Sequence, residues 1–456
     1  MNQQRFSFAL IATLLALAGC DDTTETGTDA STPAVDGGAP MTNTIVDIAA
    51  ADPDFSMLVS AVGRAGLVDV LASPGPFTVF APTNQAFMDS GITQDAIDTM
   101  PVDQLTAILT YHAVAGAVLS TDLENGTVTP VAEFTLFVGV DGGVTLNGGN
   151  SVTGGAGVVT ADIAADNGVI HVIDRVLLPP TVADLARYGG LDSLVAAVGA
   201  AAPLPDGTSV LDALNAPDAT YTVFAPTNAA FDALAATPDA DQLRDVLLYH
   251  VLGATVRSSA IPGQADTLLT NAWGNGVTVL FDTSAGATIN GASIAVTDLA
   301  GTNGVVHVIE SVLLPPNAID MAGIAGLGEL ATAIGAAADL APGTPVADAL
   351  VSEGPFTIFA PTNAAFEAVA SVTATLDAEA LRDVLLFHVA PADPPVLSGA
   401  LADGEVPTLF TDTLTIDTSS TPPSVEEASV MMVDINVTNG VIHVIDAVMI
   451  PPSFGG

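Results

Sequence analysis

The chain contains no lysine. Its only cations are seven arginines, set against 51 acidic residues, for a formal charge of −44 over 456 residues. Charged residues make up 13% of the chain, against roughly 25% in ordinary soluble domains, so the imbalance comes from missing cations more than from surplus carboxylates. A surface this poor in Lys and Arg cannot neutralise phosphates, which argues against nucleic-acid binding. It argues equally against electrostatic docking onto anionic lipid. Cysteine is nearly absent: Cys20 stands alone, so no internal disulfide forms. Past the first twenty residues no apolar run approaches the roughly 18–20 residues of a spanning helix. The 49% hydrophobic content is largely Ala and Val in short periodic pieces. Missing as well are a Gly-x-Ser-x-Gly elbow, a Gly-x-x-x-x-Gly-Lys loop, a lysine base and an Asp-rich calcium loop. The expectation is a protein that is not an enzyme and that carries no cofactor or metal.

What is present begins with "MNQQRFSFALIATLLALAGC". Arg5, an apolar stretch from Phe6 to Leu17 and small residues before Cys20 have the layout of a secretory signal over residues 1–19. The ending Leu17-Ala18-Gly19-Cys20 resembles a bacterial lipobox, in which the cysteine thiol is acylated, and lipidation of Cys20 accounts for the lone thiol. Residues 21–44 are rich in Thr, Asp, Gly, Ser and Pro and lack the apolar groups that offset ordering entropy. Residues 20–41 therefore read as the lipidated Cys and a flexible tether. The expected location is the cell envelope, periplasmic or cell-surface, with membrane contact through the lipid anchor only.

The rest of the chain repeats. "FTVFAPTNQAF" (Phe77–Phe87) returns as "YTVFAPTNAAF" (Tyr221–Phe231) and "FTIFAPTNAAF" (Phe356–Phe366). "LTYHAV" from Leu109 returns as "LLYHVL" from Leu247 and "LLFHVA" from Leu385. "VIHVIDRVLLPP" from Val169 returns as "VVHVIESVLLPP" from Val305 and "VIHVIDAVMIPP" from Val441. The order is constant, and the units run 42–180, 181–316 and 317–452, each long enough to bury a core of its own. Within a unit, the β-branched and aromatic string before Pro82 reads as a strand, after which Thr83 or Asn84 caps a helix. Leu105, Ile108, Leu109 and His112 lie at helical spacing. Short alternating strands with Asn-Gly turns such as Asn147-Gly148 and Asn290-Gly291 follow. Helices first and strands last make each unit α+β.

These three strings, in this order and three times over, resemble the signature segments of fasciclin (FAS1) domains across residues 42–452. The resemblance implies three tandem β-wedge domains, each of two packed sheets with flanking helices. It also implies adhesion or extracellular recognition, with a matrix or surface protein or glycan as partner. The alternative it carries is transport of an apolar small molecule such as a carotenoid.

All six histidines fall in repeated positions. His171, His307 and His443 lie 136 residues apart on apolar strands; His112, His250 and His388 lie 138 apart at helix ends. Alternation puts Val169, His171 and Ile173 on one strand face and Ile170, Val172 and Asp174 on the other, so a metal shared by His171 and Asp174 is disfavoured and a core role favoured. The carboxylates Asp162, Asp298 and Asp434 are expected to brace the nearby Asn-Gly turn through backbone bonds. In the fasciclin family the Tyr-His region has been linked to partner recognition. The resemblance therefore makes Tyr111, His112, Tyr249, His250, Phe387 and His388 ligand-binding candidates beside their packing reading, with Phe387 lacking the hydroxyl of the other two copies.

Overall fold

A computed structural model of the chain describes residues 43–149, 154–338, 350, 354–373 and 376–454. The leader, the tether and Cys20 lie outside the described residues. Three seven-stranded mixed sheets, each with helices, confirm the α+β expectation. In the first module the strands are β1 (Phe77–Pro82), β2 (Ala113–Ala115), β3 (Gly126–Val128), β4 (Leu136–Gly139), β5 (Thr145–Leu146), β6 (Ala156–Ala165) and β7 (Gly168–Ile173). Their order is β2-β1-β7-β6-β5-β4-β3, and the other two modules repeat it. Only β1 and β7 run parallel, with Phe80 beside His171; the remaining pairs are antiparallel.

Alternation along the central strands divides each module into two apolar layers. Val79, Ala81, Ile170 and Val172 pack under the helices together with Leu58, Leu105 and Ile108. Phe80 and Ile173 face the opposite way and pack with Leu136, Val138 and Leu146 from β4 and β5. The ladder folds over at β6, whose ten residues pair with β5 at one end and with β7 along the rest. The pairing register slips on either side of Thr160, and Asp162 within the slip takes a φ of 60°. A bulge of this kind bends a strand and lets one ladder form two sheets.

The string Ala-Pro-Thr-Asn has a divided task. Thr83 is the cap, accepting from the Ala86 N–H. Asn84 works across space: its carbonyl accepts from Met57 N and its amide donates to Pro53 O, both at 2.9 Å. Asn228 and Asn363 make the same pair of bonds to Ser193 and Gly190, and to Glu329 and Gly326. The closing Asn-Gly does similar work. Asn167 accepts from Ile45 N at 2.9 Å and donates to Leu71 O and Ser73 O, so the last hairpin holds the first helix. Gly168, with φ 155°, lies so near the start of β1 that a Cβ there would stand 1.9 Å from Phe77 O.

Candidate functional site

The strand histidines are fully buried, each stacked on the phenylalanine of the adjacent parallel strand at 5.5–5.7 Å between ring centres. Both ring nitrogens are engaged. Nδ1 of His171 accepts from Asp162 N at 3.3 Å, and Nε2 donates to Val118 O at 2.9 Å. His307 and His443 make the same two contacts, to Asp298 N and Val256 O and to Asp434 N and Val396 O. One nitrogen must accept and the other donate, which only a neutral imidazole satisfies.

Asp162 does not brace the Asn-Gly turn expected from its spacing. Its carboxylate accepts from the N–H of Ser120 at 2.8 Å and from its hydroxyl at 2.5 Å, 42 residues away. Asp298 with Ser258 and Asp434 with Ser398 repeat the contact. The Ser120 hydroxyl and backbone bonds hold the Asp162 carboxyl below the usual range. Ser, Asp and His thus meet in every module, but in an order unfit for acyl transfer. The serine donates to the aspartate, and the imidazole turns its Nε2 to a backbone carbonyl. A nucleophile needs its base within hydrogen-bond reach.

The Tyr-His candidates are equally enclosed. Tyr111, Tyr249 and Phe387 are 0% exposed, and His112, His250 and His388 are 2–3% exposed. His112 donates from Nδ1 to Ile108 O at 2.8 Å and accepts at Nε2 from Leu177 N at 2.9 Å. His250 and His388 do the same with Val246 and Leu313, and with Val384 and Met449. Burial lowers all three pKa values to about 4, against a partial opposing effect of the carbonyl bond. The Tyr111 hydroxyl donates to Thr135 O at 2.8 Å and accepts from the Asn147 amide at 3.0 Å; Tyr249 repeats this with Thr278 and Asn290. Burial pushes both phenols up.

The third module departs at two positions together. Phe387 has no hydroxyl, and Glu426 replaces the asparagine while keeping its two backbone bonds to the β4-equivalent strand. A carboxylate has no amide proton to place, so losing the hydroxyl leaves no donor stranded. The paired change fits a packing role for the Tyr ring and hydroxyl. None of the six candidates presents more than a trace of surface in this conformation.

Sequence reading missed a cavity under the helices. In module two it measures about 180 Å³ and is lined by Val182, Ala183, Leu194, Val223 and His250 among others. The corresponding spaces in modules one and three measure about 50 and 20 Å³. One signal was available: Ala183, one residue past the capped helix start, stands where the other modules have Val46 and Ile319. Among the described residues no group of three or more His, Cys, Asp or Glu is placed to hold a metal ion, and no helix is long and apolar enough to cross a membrane.

A family model for the fasciclin domain matches residues 53–179, 201–315 and 335–451. Human periostin is 27% identical over 432 residues, covering 89% of this chain and 47% of periostin. Transforming growth factor-beta-induced protein ig-h3 of Oryctolagus cuniculus is 28% identical over 422 residues, covering 91% of this chain and 58% of ig-h3. Protein sll1483 of Synechocystis is 45% identical over 140 residues, covering 30% of this chain and 74% of that protein. The chain thus spans about half the length of the two animal relatives.

Proposed function

The chain belongs to the fasciclin domain family, and from that premise we propose that it is a lipid-anchored binding or adhesion protein of the cell envelope, without catalytic activity. The observation that carries this reading is the internal use of its chemistry. Every histidine has both ring nitrogens bonded inside the fold, in the neutral form, so the six residues that a hydrolase or metal enzyme would expose are spent on structure. Recognition is left to the outer surface, which at −44 favours a partner protein or glycan carrying positive charge. Binding of that kind weakens with salt.

The test compares cells displaying the native chain with cells carrying Cys20→Ser. A lipid anchor needs two or more acyl chains for stable attachment. The variant is expected to lose fatty-acid labelling, to leave the detergent phase and to abolish cell adhesion to a matrix-coated surface. Adhesion that persists with the protein released into the medium would overturn the reading.

The module-two cavity favours a second reading, the carrying of an apolar molecule. A dry apolar cavity of about 150 Å³ accepts a molecule the size of benzene; a long polyene does not fit inside one this size. Filling the cavity with Ala183→Ile is expected to raise stability by about 1 kcal/mol and to eliminate binding of a small aromatic probe, read by calorimetry. Equal probe binding by both proteins would sink it.

A further inference from the structure

The two junctions between modules share a set of equivalent positions. At the first, Thr135 N donates to Ala300 O at 2.9 Å, and Ala300 N donates back to the Thr135 hydroxyl at 2.8 Å. Phe137, two residues on, packs against the helix-side core of module two, beside Gly189 at the end of its first helix. At the second, Asn436 N donates to the Thr278 hydroxyl at 2.9 Å, and Leu280 packs against the core of module three. Strand register makes these positions equivalent. Val138 opposite Leu146, Phe281 opposite Ile289 and Ile416 opposite Val425 align Thr135, Thr278 and Thr413, and align Phe137, Leu280 and Thr415. The turns Ala165–Gly168, Gly301–Gly304 and Val437–Gly440 align Ala164, Ala300 and Asn436.

A junction that joins unlike faces head to tail has no natural end. Carried between chains it generates an open filament, and tandem arrays need altered terminal units to stop it. Both ends of this array are altered. Thr413 and Thr415 are exposed, and Thr415 puts a hydroxyl where the other modules have an apolar plug. At the other end Ala164 is exposed while Ala300 and Asn436 are buried. The helix-end position held by Gly189 in module two and Ala325 in module three is held by the exposed, charged Asp52 in module one.

We infer that Thr135–Phe137 and Thr278–Leu280 form a directional docking edge that fixes the three modules in series, and that Thr415 and Asp52 are stops that keep a second copy of the chain from docking at either end. A short tether supplies an effective concentration in the millimolar range, so an edge of modest affinity is enough to hold the modules within the chain, and a modest penalty is enough to block the same contact between chains. That explains how one polar residue at each end suffices.

Two measurements on the full chain test this. In hydrogen exchange, Thr135→Val removes only the hydroxyl, and the Ala300 amide is expected to lose about tenfold or more of its protection, the worth of one hydrogen bond. An Ala300 amide that is unprotected in the native protein, or unaffected by the change, would overturn the docking edge. In sedimentation at protein concentrations approaching millimolar, the native chain is expected to stay monomeric and the double variant Thr415→Phe with Asp52→Gly to form end-to-end oligomers. A monomeric double variant, or a native chain that polymerises equally, would overturn the stops.

Discussion

Replacing Gly304 by alanine is expected to unfold module two. A Cβ at this position would stand 2.0 Å from Tyr221 O, on a backbone with φ 147°, where L-residues pay steric strain as well. No flexible side chain can yield, because the obstructing atom belongs to the first strand of the module. That strand pairs in parallel with the one Gly304 begins, and Tyr221 N donates to Asn303 O. Relief therefore means parting the central strand pair, where Phe224 and His307 stack. The cost is about 4 kcal/mol or more, at the extreme of single substitutions and a large share of a domain's 5–15 kcal/mol. At Gly263 a Cβ would meet nothing within 4 Å, and φ there is unstrained, so Gly263→Ala serves as a control with little expected effect. Urea unfolding followed by module-resolved hydrogen exchange reads the difference; native-like protection of the Val305–Ile309 amides in Gly304→Ala would contradict it.

The second large effect is with pH. His112, His250 and His388 have folded pKa values of about 4 against about 6.5 when unfolded, and His443 is lowered too, by burial first. Between those values the unfolded chain binds more protons than the folded one. Stability is then full above pH 6.5 and falls as the pH drops towards 4. Each of the three helix-end histidines withdraws about 1 kcal/mol by pH 5.5 and about 3 kcal/mol at the limit. Two other effects act lower. Asp162 and Asp298 lose their serine-supported stabilisation only as the pH falls through their lowered pKa values. For Asp298 burial acts in the opposite direction, and the bonds from Ser258 outweigh it. Protonation of the many carboxylates relieves like-charge repulsion, again mostly below pH 5. The window from pH 6.5 to 5.5 isolates the imidazoles. There, at constant ionic strength, the urea midpoint is expected to fall with pH, with net proton uptake on unfolding. A flat midpoint would show that these rings can take a proton in place.

The central strands, the helix stripes and the three-fold repetition were legible because each is a local pattern: alternation, helical spacing and turn residues within a few positions of each other. The burial of His171 followed from the same alternation. Asp162 was misread for the opposite reason. Its nearest sequence signal was the Asn-Gly turn five residues on, whereas its partner Ser120 arrives from 42 residues earlier over a loop, and the left-handed backbone at an aspartate gives no sign in composition. The Tyr-His pairs could not be decided from spacing, since a ring on an apolar helix face packs inward in either reading. The partners of the Tyr111 hydroxyl, the acceptor Thr135 just before β4 and the donor Asn147 just after β5, lie 24 and 36 residues away and leave no local trace beside the Tyr-His pair. The junction was hidden because β4 alternates like any half-buried strand. Thr415, read in register with Phe137 and Leu280, distinguishes the β4-equivalent strand of module three from the two strands that meet another module.

The bond from Ile45 N to Asn167 spans 122 residues, and those from Val182 to Asn303 and from Ala318 to Asn439 span 121. Each module is consequently a clasp whose two halves are made at opposite ends of its own synthesis. The opening helix emerges first, and the asparagine that holds its start is not made until the final hairpin follows. For a chain made or exported from its N-terminus, assembly is stepwise, with one clasp closing before the next can, and every unfinished module leaves its helices open to proteases and chaperones for the time it takes to make more than a hundred residues.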